Sequence, residues 1–493
     1  MNRRTFLNIA GIGSASLLAG CTNTAPKTPK TLRIATNRSL EPIKPKQSKR
    51  VVIVGGGFGG LNTAAAIKQN DPGNSIEVIV VERNPHYFAC PMSNTLLSGD
   101  PRFTRDMFLF DYVNAQREYG YEVMQAEVVG IDRETRQVHT SQGALEYDFL
   151  VLAPGIEYNY EAEFPRWSPE KIRRARMEAP GGLISDVGVE HSILIRQLEA
   201  FKAQGGEGVI AIVPPRLNFT RDLQTTEAHS SVQRCKPAPY ERACMIGNWI
   251  RRNNLVGKAK VVILDNSTRP QAKPAAFEQV FEELYSGIIE YRGGFDLMDV
   301  DFDKQEIIYR DINDEAEYVK ATIRYDILNL IPVQRASSLI SLAGLKSNSW
   351  GGAVLAKRNF YSVTDDRVYV IGDSAFYGKG SFKDNPEKKA GVPAAAQTAY
   401  STAVEAGRMI ADRLLKNVDN PVETFTASCF SMVRSDASVR LGIAIEKEFH
   451  FDEKGMTVTE RIPKENGKYY TADAGEGIVG WFDAVTGATF ARF

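Results

Sequence analysis

The segment 51–82 restricts the fold more than any other part of the chain. It reads Val51-Val52-Ile53-Val54, then Gly55-Gly56-Gly57-Phe58-Gly59-Gly60, an alanine-rich stretch, a second apolar run Ile76–Val81, and Glu82. Short apolar runs bounded by glycine are buried strands, and the stretch between them is a helix. The first glycines permit a tight turn and close approach of backbone to a pyrophosphate, while the helix N-terminus supplies N–H donors and partial positive charge. Glu82 ends the second strand, where a carboxylate can bind ribose hydroxyls. A glycine run alone is weak evidence. With strands, helix and acid in place it specifies a dinucleotide-binding unit, with Gly55, Gly57, Gly60 and Glu82 as contact residues.

At 493 residues the chain requires two or three domains. Lys plus Arg and Asp plus Glu stand at 60 each, with no long basic run, so nucleic-acid binding has no electrostatic support. No metal site is expected. Residues 1–21 read as an address: Arg3-Arg4 before Thr5-Phe6-Leu7 resembles a twin-arginine export signal, and the apolar stretch after it is too short to span a bilayer. It ends Leu17-Leu18-Ala19-Gly20-Cys21, which resembles a lipoprotein box, so Cys21 is either a lipid anchor or part of an ordinary cleaved peptide. Twin-arginine export moves folded proteins, which suits a chain that captures its cofactor in the cytoplasm and works in the periplasm or another extracytoplasmic space. Residues 22–48, rich in Thr, Pro, Lys and Ser, read as a flexible tether.

Two later stretches indicate which dinucleotide is bound. Tyr147–Gly155 is a buried strand ending in Ala153-Pro154-Gly155, and Arg367–Ala375 is a strand ending in Gly372-Asp373. Both resemble the second and third FAD motifs of flavoproteins with two dinucleotide-binding domains, which implies FAD contacts at Ala153, Gly155, Gly372 and Asp373. The expected fold is α/β, with two Rossmann-like domains of the FAD-dependent disulfide oxidoreductase type and a small C-terminal α+β domain. The expected boundaries are 49–162 with 341–418 for the FAD domain, 163–340 for the second and 419–493 for the third. In the second domain, strands at Gly208–Val213 and Lys260–Asp265 suit a nucleotide fold, but the first runs into Val213-Pro214-Pro215-Arg216. Proline lacks an N–H and cannot build a phosphate cradle, so this domain is a degenerate NAD-type unit. Gly391–Gln397 is expected to open a helix to Leu415 with Pro393 in its first turn, its N-terminus favouring negative charge on a reduced flavin. Ser438–Arg461 reads as a hairpin around Asp452–Gly455, and the aromatic end Gly480–Phe493 as core packing, a lid or a docking surface.

Three cysteines have distinctive surroundings: Tyr87-Phe88-Ala89-Cys90-Pro91-Met92-Ser93-Asn94, Arg234-Cys235-Lys236-Pro237-Ala238-Pro239-Tyr240-Glu241-Arg242, and Ala427-Ser428-Cys429-Phe430. With Asn329–Pro332 and Gln334-Arg335, these stretches resemble the FAD-binding subunit of flavocytochrome c sulfide dehydrogenase, a relative of sulfide:quinone oxidoreductases, over about residues 49–493. The resemblance implies a thioether from Cys90 to the 8α-methyl of FAD and a redox-active disulfide between Cys235 and Cys429. It also implies an active-site role for Glu241, sulfide as the small-molecule substrate and a cytochrome c subunit as partner. The chain has no Cys-x-x-Cys-His, so it does not carry a c-type haem itself. The stretch 216–233, containing His229, is longer than the family's connection, and Cys244 has no family role. It reads as a buried structural thiol.

In such a site hydrosulfide would attack a disulfide sulfur, leaving a persulfide and a thiolate that reduces the flavin. Two readings compete with this one. A sulfide:quinone-type enzyme would need an apolar C-terminal helix pair, where a hairpin is expected. A flavin electron-relay subunit would oxidise no substrate. The electron acceptor, the product sulfur species and the oligomeric state stay open.

Overall fold

Val51–Val54 carry apolar side chains on both faces, which suits only a strand covered on both sides, and all four are buried. A computed structural model describes residues 41–182, 188–216, 218–220, 228–230, 234–311, 320–356 and 358–492. The signal and most of the tether lie outside these residues, as does most of the long connection 216–233.

The first layer is built from β1 (Lys49–Val54), α1 (Phe58–Gln69), β2 (Ile76–Glu82), β3 (Glu122–Gln125) and β4 (Phe149–Leu152). The chain then leaves this layer to build a second one from α2 (Val189–Ala203), β5 (Gly208–Val213), α3 (Ala238–Arg252), β6 (Ala259–Asp265), α4 (Pro274–Tyr285), β7 (Ile289–Gly293) and β8 (Ile327–Leu330). It returns at β9 (Val368–Val370) to complete a five-stranded parallel sheet ordered β9-β4-β1-β2-β3. The second sheet is also parallel, ordered β7-β6-β5-β8. Two parallel sheets, one inserted within the other, match the expected α/β architecture, and the strands at 208–213 and 259–265 fall where the sequence puts them.

After β9 come β10 (Lys379–Phe382), β11 (Lys389–Gly391), α5 (Ala396–Lys416), β12 (Thr424–Ser435), β13 (Arg440–Asp452), β14 (Gly455–Arg461), β15 (Tyr470–Thr471) and α6 (Ala472–Phe490). The hairpin around 452–455 is present, with Asp452 opposite Gly455. Two details differ from expectation. The C-terminal sheet does not begin at 419: β10 and β11 join it, giving the order β11-β10-β14-β13-β12 with β15 on β13. Pro393 precedes α5 instead of lying in its first turn, because 389–391 is held as a strand against β10. The aromatic end is α6, with Phe482 and Phe490 buried in the same core as α1 and α5.

Candidate functional site

The three motifs expected to contact FAD converge at the ends of β1, β4 and β9. Gly55 has φ +111°, and a Cβ there would lie 2.3 Å from the Ala153 carbonyl oxygen. A Cβ on Gly60 would lie 1.8 Å from the Gly55 oxygen, so the helix can pack this closely only with glycine. Ala153 N donates to Val54 O at 2.8 Å and Ile371 N to Leu152 O at 3.0 Å, and the Ser374 hydroxyl donates to Gly155 O. Gly155 and Gly372 both hold left-handed φ, +75° and +76°. Glu82 accepts from Gly56 N at 2.8 Å and from Asn84 N at 2.9 Å. Beside it the buried Tyr112 hydroxyl has no partner among the described residues. A cradle built by glycine, with a carboxylate and an unpartnered hydroxyl at its edge, fits the adenosine and pyrophosphate of a dinucleotide.

The second domain does not repeat this arrangement. Where a phosphate loop would follow β5, Arg216 is buried and pairs with Glu163 at 3.2 Å and Asp296 at 3.0 Å. Asp265, at the end of β6, accepts from the Tyr240 hydroxyl at 2.6 Å and from Gln271 Nε2 at 2.8 Å. Protein side chains thus fill the phosphate position and engage the acid.

Between the two layers lies a cleft lined by Cys90, Cys235, Cys429 and Glu241 together with Asn94, Arg234, Gln397, Phe430 and Trp481. Strand β12, the turn before α3 and the loop after residue 88 therefore bring the three cysteines to one place. Cys235 sits at φ +54°, a conformation that a non-glycine residue adopts at some cost. It is held there by its N–H to Ala394 O and its carbonyl to Ala238 N, each at 2.9 Å. The second of these bonds leads into α3, where Glu241 occupies the first turn. Cys429 lies on β12, opposite Ile445 of β13.

The disulfide expected between Cys235 and Cys429 is not seen in this structure. Cys235 and Cys429 are both free thiols, as are Cys90 and Cys244, and no disulfide joins them. The two residues line the same cleft, and no bond joins them in this structure. Cys244 is fully buried on α3 in the second core, as expected of a structural thiol. His229 pairs in a short hairpin with Phe219, and the rest of its connection lies outside the described residues.

Burial dominates the electrostatics. It pushes the Cys90, Cys235 and Cys429 thiols up, opposed at Cys90 by Arg234 and at Cys429 by Lys273, while Glu241 adds to the rise at Cys235. Burial likewise raises the Glu241 carboxyl, whose Oε1 has no hydrogen-bond partner among the described residues. Asp373 is raised by burial, against the pull of Arg234, which reaches it at 3.3 Å. Several of these neighbours escape sequence reasoning. Arg242 is buried and donates to Asn94 Oδ1 at 3.1 Å and Asn329 Oδ1 at 3.0 Å, which ties the Cys90 loop to α3 and β8. Arg234 adjoins a cysteine in sequence, yet nothing in its composition points to Asp373.

Comparison with known proteins adds a family context. Residues 224–332 match the family described as Sulfide dehydrogenase (flavocytochrome c) flavoprotein chain, central, and residues 49–165 match Pyridine nucleotide-disulphide oxidoreductase. The first span contains Cys235, Glu241 and the Asn329–Pro332 stretch; the second contains the glycine loop, Glu82 and Cys90. Together they support the flavoprotein sulfide dehydrogenase family. The sulfide:quinone oxidoreductase of Aquifex aeolicus has the same fold, with a TM-score of 0.65 at 15% identity over 90% of this chain and 93% of that one. The NDH2 of Plasmodium falciparum in complex with RYL-552 aligns at TM-score 0.60 and 11% identity, over 91% of this chain and 99% of that one. A curated relative, the Type II NADH:quinone oxidoreductase of Staphylococcus aureus, is 25% identical over 108 residues, 22% of this chain and 26% of its own length. The chain thus spans about a quarter of the length of the curated relatives it matches.

Proposed function

We propose that this chain is the FAD-bearing subunit of an exported sulfide dehydrogenase that oxidises sulfide through Cys235 and Cys429 and passes electrons to a cytochrome c. The observation that carries the reading is the single cleft in which Cys90, Cys235, Cys429 and Glu241 meet beside the FAD motifs. Gly55, Gly57, Gly60 and Glu82 would hold the adenosine diphosphate part of FAD, with Ala153, Gly155, Gly372 and Asp373 at its ribityl side and Cys90 as the covalent tether. FAD, when bound, supplies an acceptor of electron pairs that can release electrons singly, as a haem partner requires.

The chain's own residues carry the sulfur chemistry. With Cys235 and Cys429 oxidised to a disulfide, hydrosulfide attacks one sulfur. A bond to the substrate sulfur forms, the bond between the cysteines breaks, and its electron pair leaves on the second sulfur as a thiolate. Burial keeps Glu241 disposed to hold a proton, which suits it to exchange one with the persulfide. Export by the twin-arginine route, and lipid attachment at Cys21 where that box is used, belong to the same proposal. An NADH-dependent reading is disfavoured by Pro214-Pro215 and by Arg216 in the phosphate position. For a quinone-linked reading, no helix among the described residues is long and apolar enough to cross a membrane.

Anaerobic stopped-flow bleaching of the flavin band tests the reading. Sulfide is expected to bleach wild-type protein, while Cys235→Ser and Cys429→Ser keep their FAD and fail to bleach. If the Ser variants bleach at the wild-type rate and only lose stability, by about 2–5 kcal/mol, the pair is a structural crosslink and the mechanism is wrong. In the same preparations, acid precipitation should leave flavin with the wild-type polypeptide and release it from Cys90→Ser. Complete release from wild type would refute the tether.

A further inference from the structure

Lys273 is a cation in the protein interior for which the chemistry above has no use. It is 7% exposed, and its Nζ donates to the Ser431 hydroxyl at 2.9 Å. Among the described residues it forms no ion pair within 4 Å, and its charge acts together with the Ser431 hydroxyl to lower the Glu241 carboxyl that burial raises. Lysine is almost never buried without a charged partner, so a site that keeps one has a negative group for it to face. Its backbone is also unusual. Lys273 has φ +49° and directly precedes Pro274. Its carbonyl oxygen accepts from Ala276 N at 3.0 Å and Phe277 N at 3.1 Å, so the start of α4 holds the residue in a left-handed conformation. Backbone strain of this kind persists where the surrounding structure over-determines it.

Ser431 connects this lysine to the cleft. It lies two residues beyond Cys429 on β12, and the register through both is regular, Cys429 opposite Ile445 and Ser431 opposite Ile443. The bulge of this strand comes later, between Met432 and Arg434. Side chains two apart on a strand share a face, with Cα atoms about 7 Å apart. An ammonium bound to Ser431 is therefore held on the face of β12 that carries the Cys429 sulfur.

We propose that Lys273, anchored on Ser431, makes Cys429 the thiolate of the pair and leaves Cys235 to receive the sulfur of the substrate. The inference rests on the function proposed above and adds a direction to it. The surroundings of the two sulfurs differ in the required sense. Cys429 faces Lys273 from the start of α4, Lys447 from β13 and Glu241 from α3. Cys235 faces Glu241, Cys90 and Cys429, with the cation of Arg234 in the preceding residue. Attack by hydrosulfide on Cys235 forms the new sulfur–sulfur bond there, breaks the bond to Cys429, and sends the electron pair to the sulfur beside the ammonium. Attack on Cys429 would instead send that pair to Cys235, where Glu241 is the leading charge and opposes a thiolate. Lys273 is a positioning residue in this scheme, acting on the reaction through Cys429.

Competitive alkylation tests the assignment without sulfide. The FAD-loaded full chain is reduced with dithiothreitol, freed of it anaerobically, and treated briefly with iodoacetamide between pH 7 and 10. Mass spectrometry then gives the labelling of Cys235 and Cys429 separately. Cys429 should label faster and with a lower pH midpoint than Cys235. Lys273→Met should slow Cys429 labelling about tenfold, the effect of one unit of thiol pKa, and Lys273→Arg should keep most of the preference. Ser431→Ala, which removes only the anchor, should narrow the preference, and it serves if Lys273→Met fails to fold. Faster labelling of Cys235 in wild type would overturn the proposal. So would an unchanged Cys429 midpoint in folded Lys273→Met, or in Ser431→Ala where that variant stands in. If the labelling preference holds but sulfide does not bleach the flavin, the sulfide reading fails and the charge assignment stands.

Discussion

His191 illustrates how burial sets a protonation state at the residue scale. Its Nε2 lies 3.1 Å from Ser93 Oγ, and Ser93 in turn donates to the Cys90 carbonyl at 2.7 Å, so the imidazole supports the loop that carries Cys90. Burial, reinforced by Arg242, lowers its pKa to about 3. The folded chain therefore keeps this ring neutral while the unfolded chain protonates it below about pH 6.5. Stability from this group is fully present above that value and is lost as pH falls toward 3. At pH 5 the loss is about 2 kcal/mol, from 1.36 kcal/mol per unit of difference. His191→Gln keeps a donor for Ser93 and cannot titrate, so its stability should fall less between pH 7 and pH 5, by about that amount. Urea unfolding at the two pH values checks this, and equal slopes would show that His191 does not control the acid limb. Cys90, Cys235, Cys429 and Glu241 were legible from their neighbours in the chain. Lys273, Ser431, Asn94 and Arg234 were not, because each acts through a partner that only the fold brings near.

At the scale of elements, the pairing of α1 with α5 fixes the glycine loop. A Cβ on Gly407 would lie 2.5 Å from Ala66 Cβ and 2.8 Å from Thr63 O, so the two helices touch almost backbone to backbone. Gly407→Val should force them apart, at an overpacking cost of about 1–3 kcal/mol, and loosen FAD because α1 begins at the glycine loop. A thermal melt and the flavin retained on gel filtration measure both effects; an unshifted melting point would mean that the contact yields without cost. The C-terminal helix α6 escaped the sequence reading for a related reason. Gly475, Gly477, Gly480 and Gly487 depress its helix propensity. At Gly475, however, a Cβ would lie 2.5 Å from Arg440 O, so the helix trades propensity for close packing on β13. Local pattern registers the propensity and is blind to the packing.

For the whole molecule, the interleaved order of the chain matters most. β9 completes the first sheet only after the second layer has been made, some 215 residues beyond β4. Such long-range parallel pairing is slow to form, and under the proposed export route the chain gains from folding around its cofactor before translocation. Arg3→Lys/Arg4→Lys should accordingly trap a flavin-loaded precursor inside the cell, as cell fractionation and flavin absorbance would register. Normal export of the double variant would remove the twin-arginine assignment, and mass spectrometry of the mature N-terminus decides lipidation at Cys21.

The amino-acid order alone determined the dinucleotide unit at 51–82, the later strands of the FAD domain, the loss of a phosphate cradle after Val213 and the three cysteines that merit attention. These are local features, in which glycine, proline, an apolar run or a neighbouring residue acts within a few positions of itself. The tertiary structure alone decided that the cysteines share a cleft, that strands from 379–391 belong to the C-terminal sheet, and that Arg216 occupies the phosphate position. It also placed the buried Lys273, from the start of α4, against Ser431 on the strand of Cys429. Each of these depends on contacts between residues tens to hundreds of positions apart. Burial and charge at such contacts are properties of the packed chain, and no short stretch of sequence contains them.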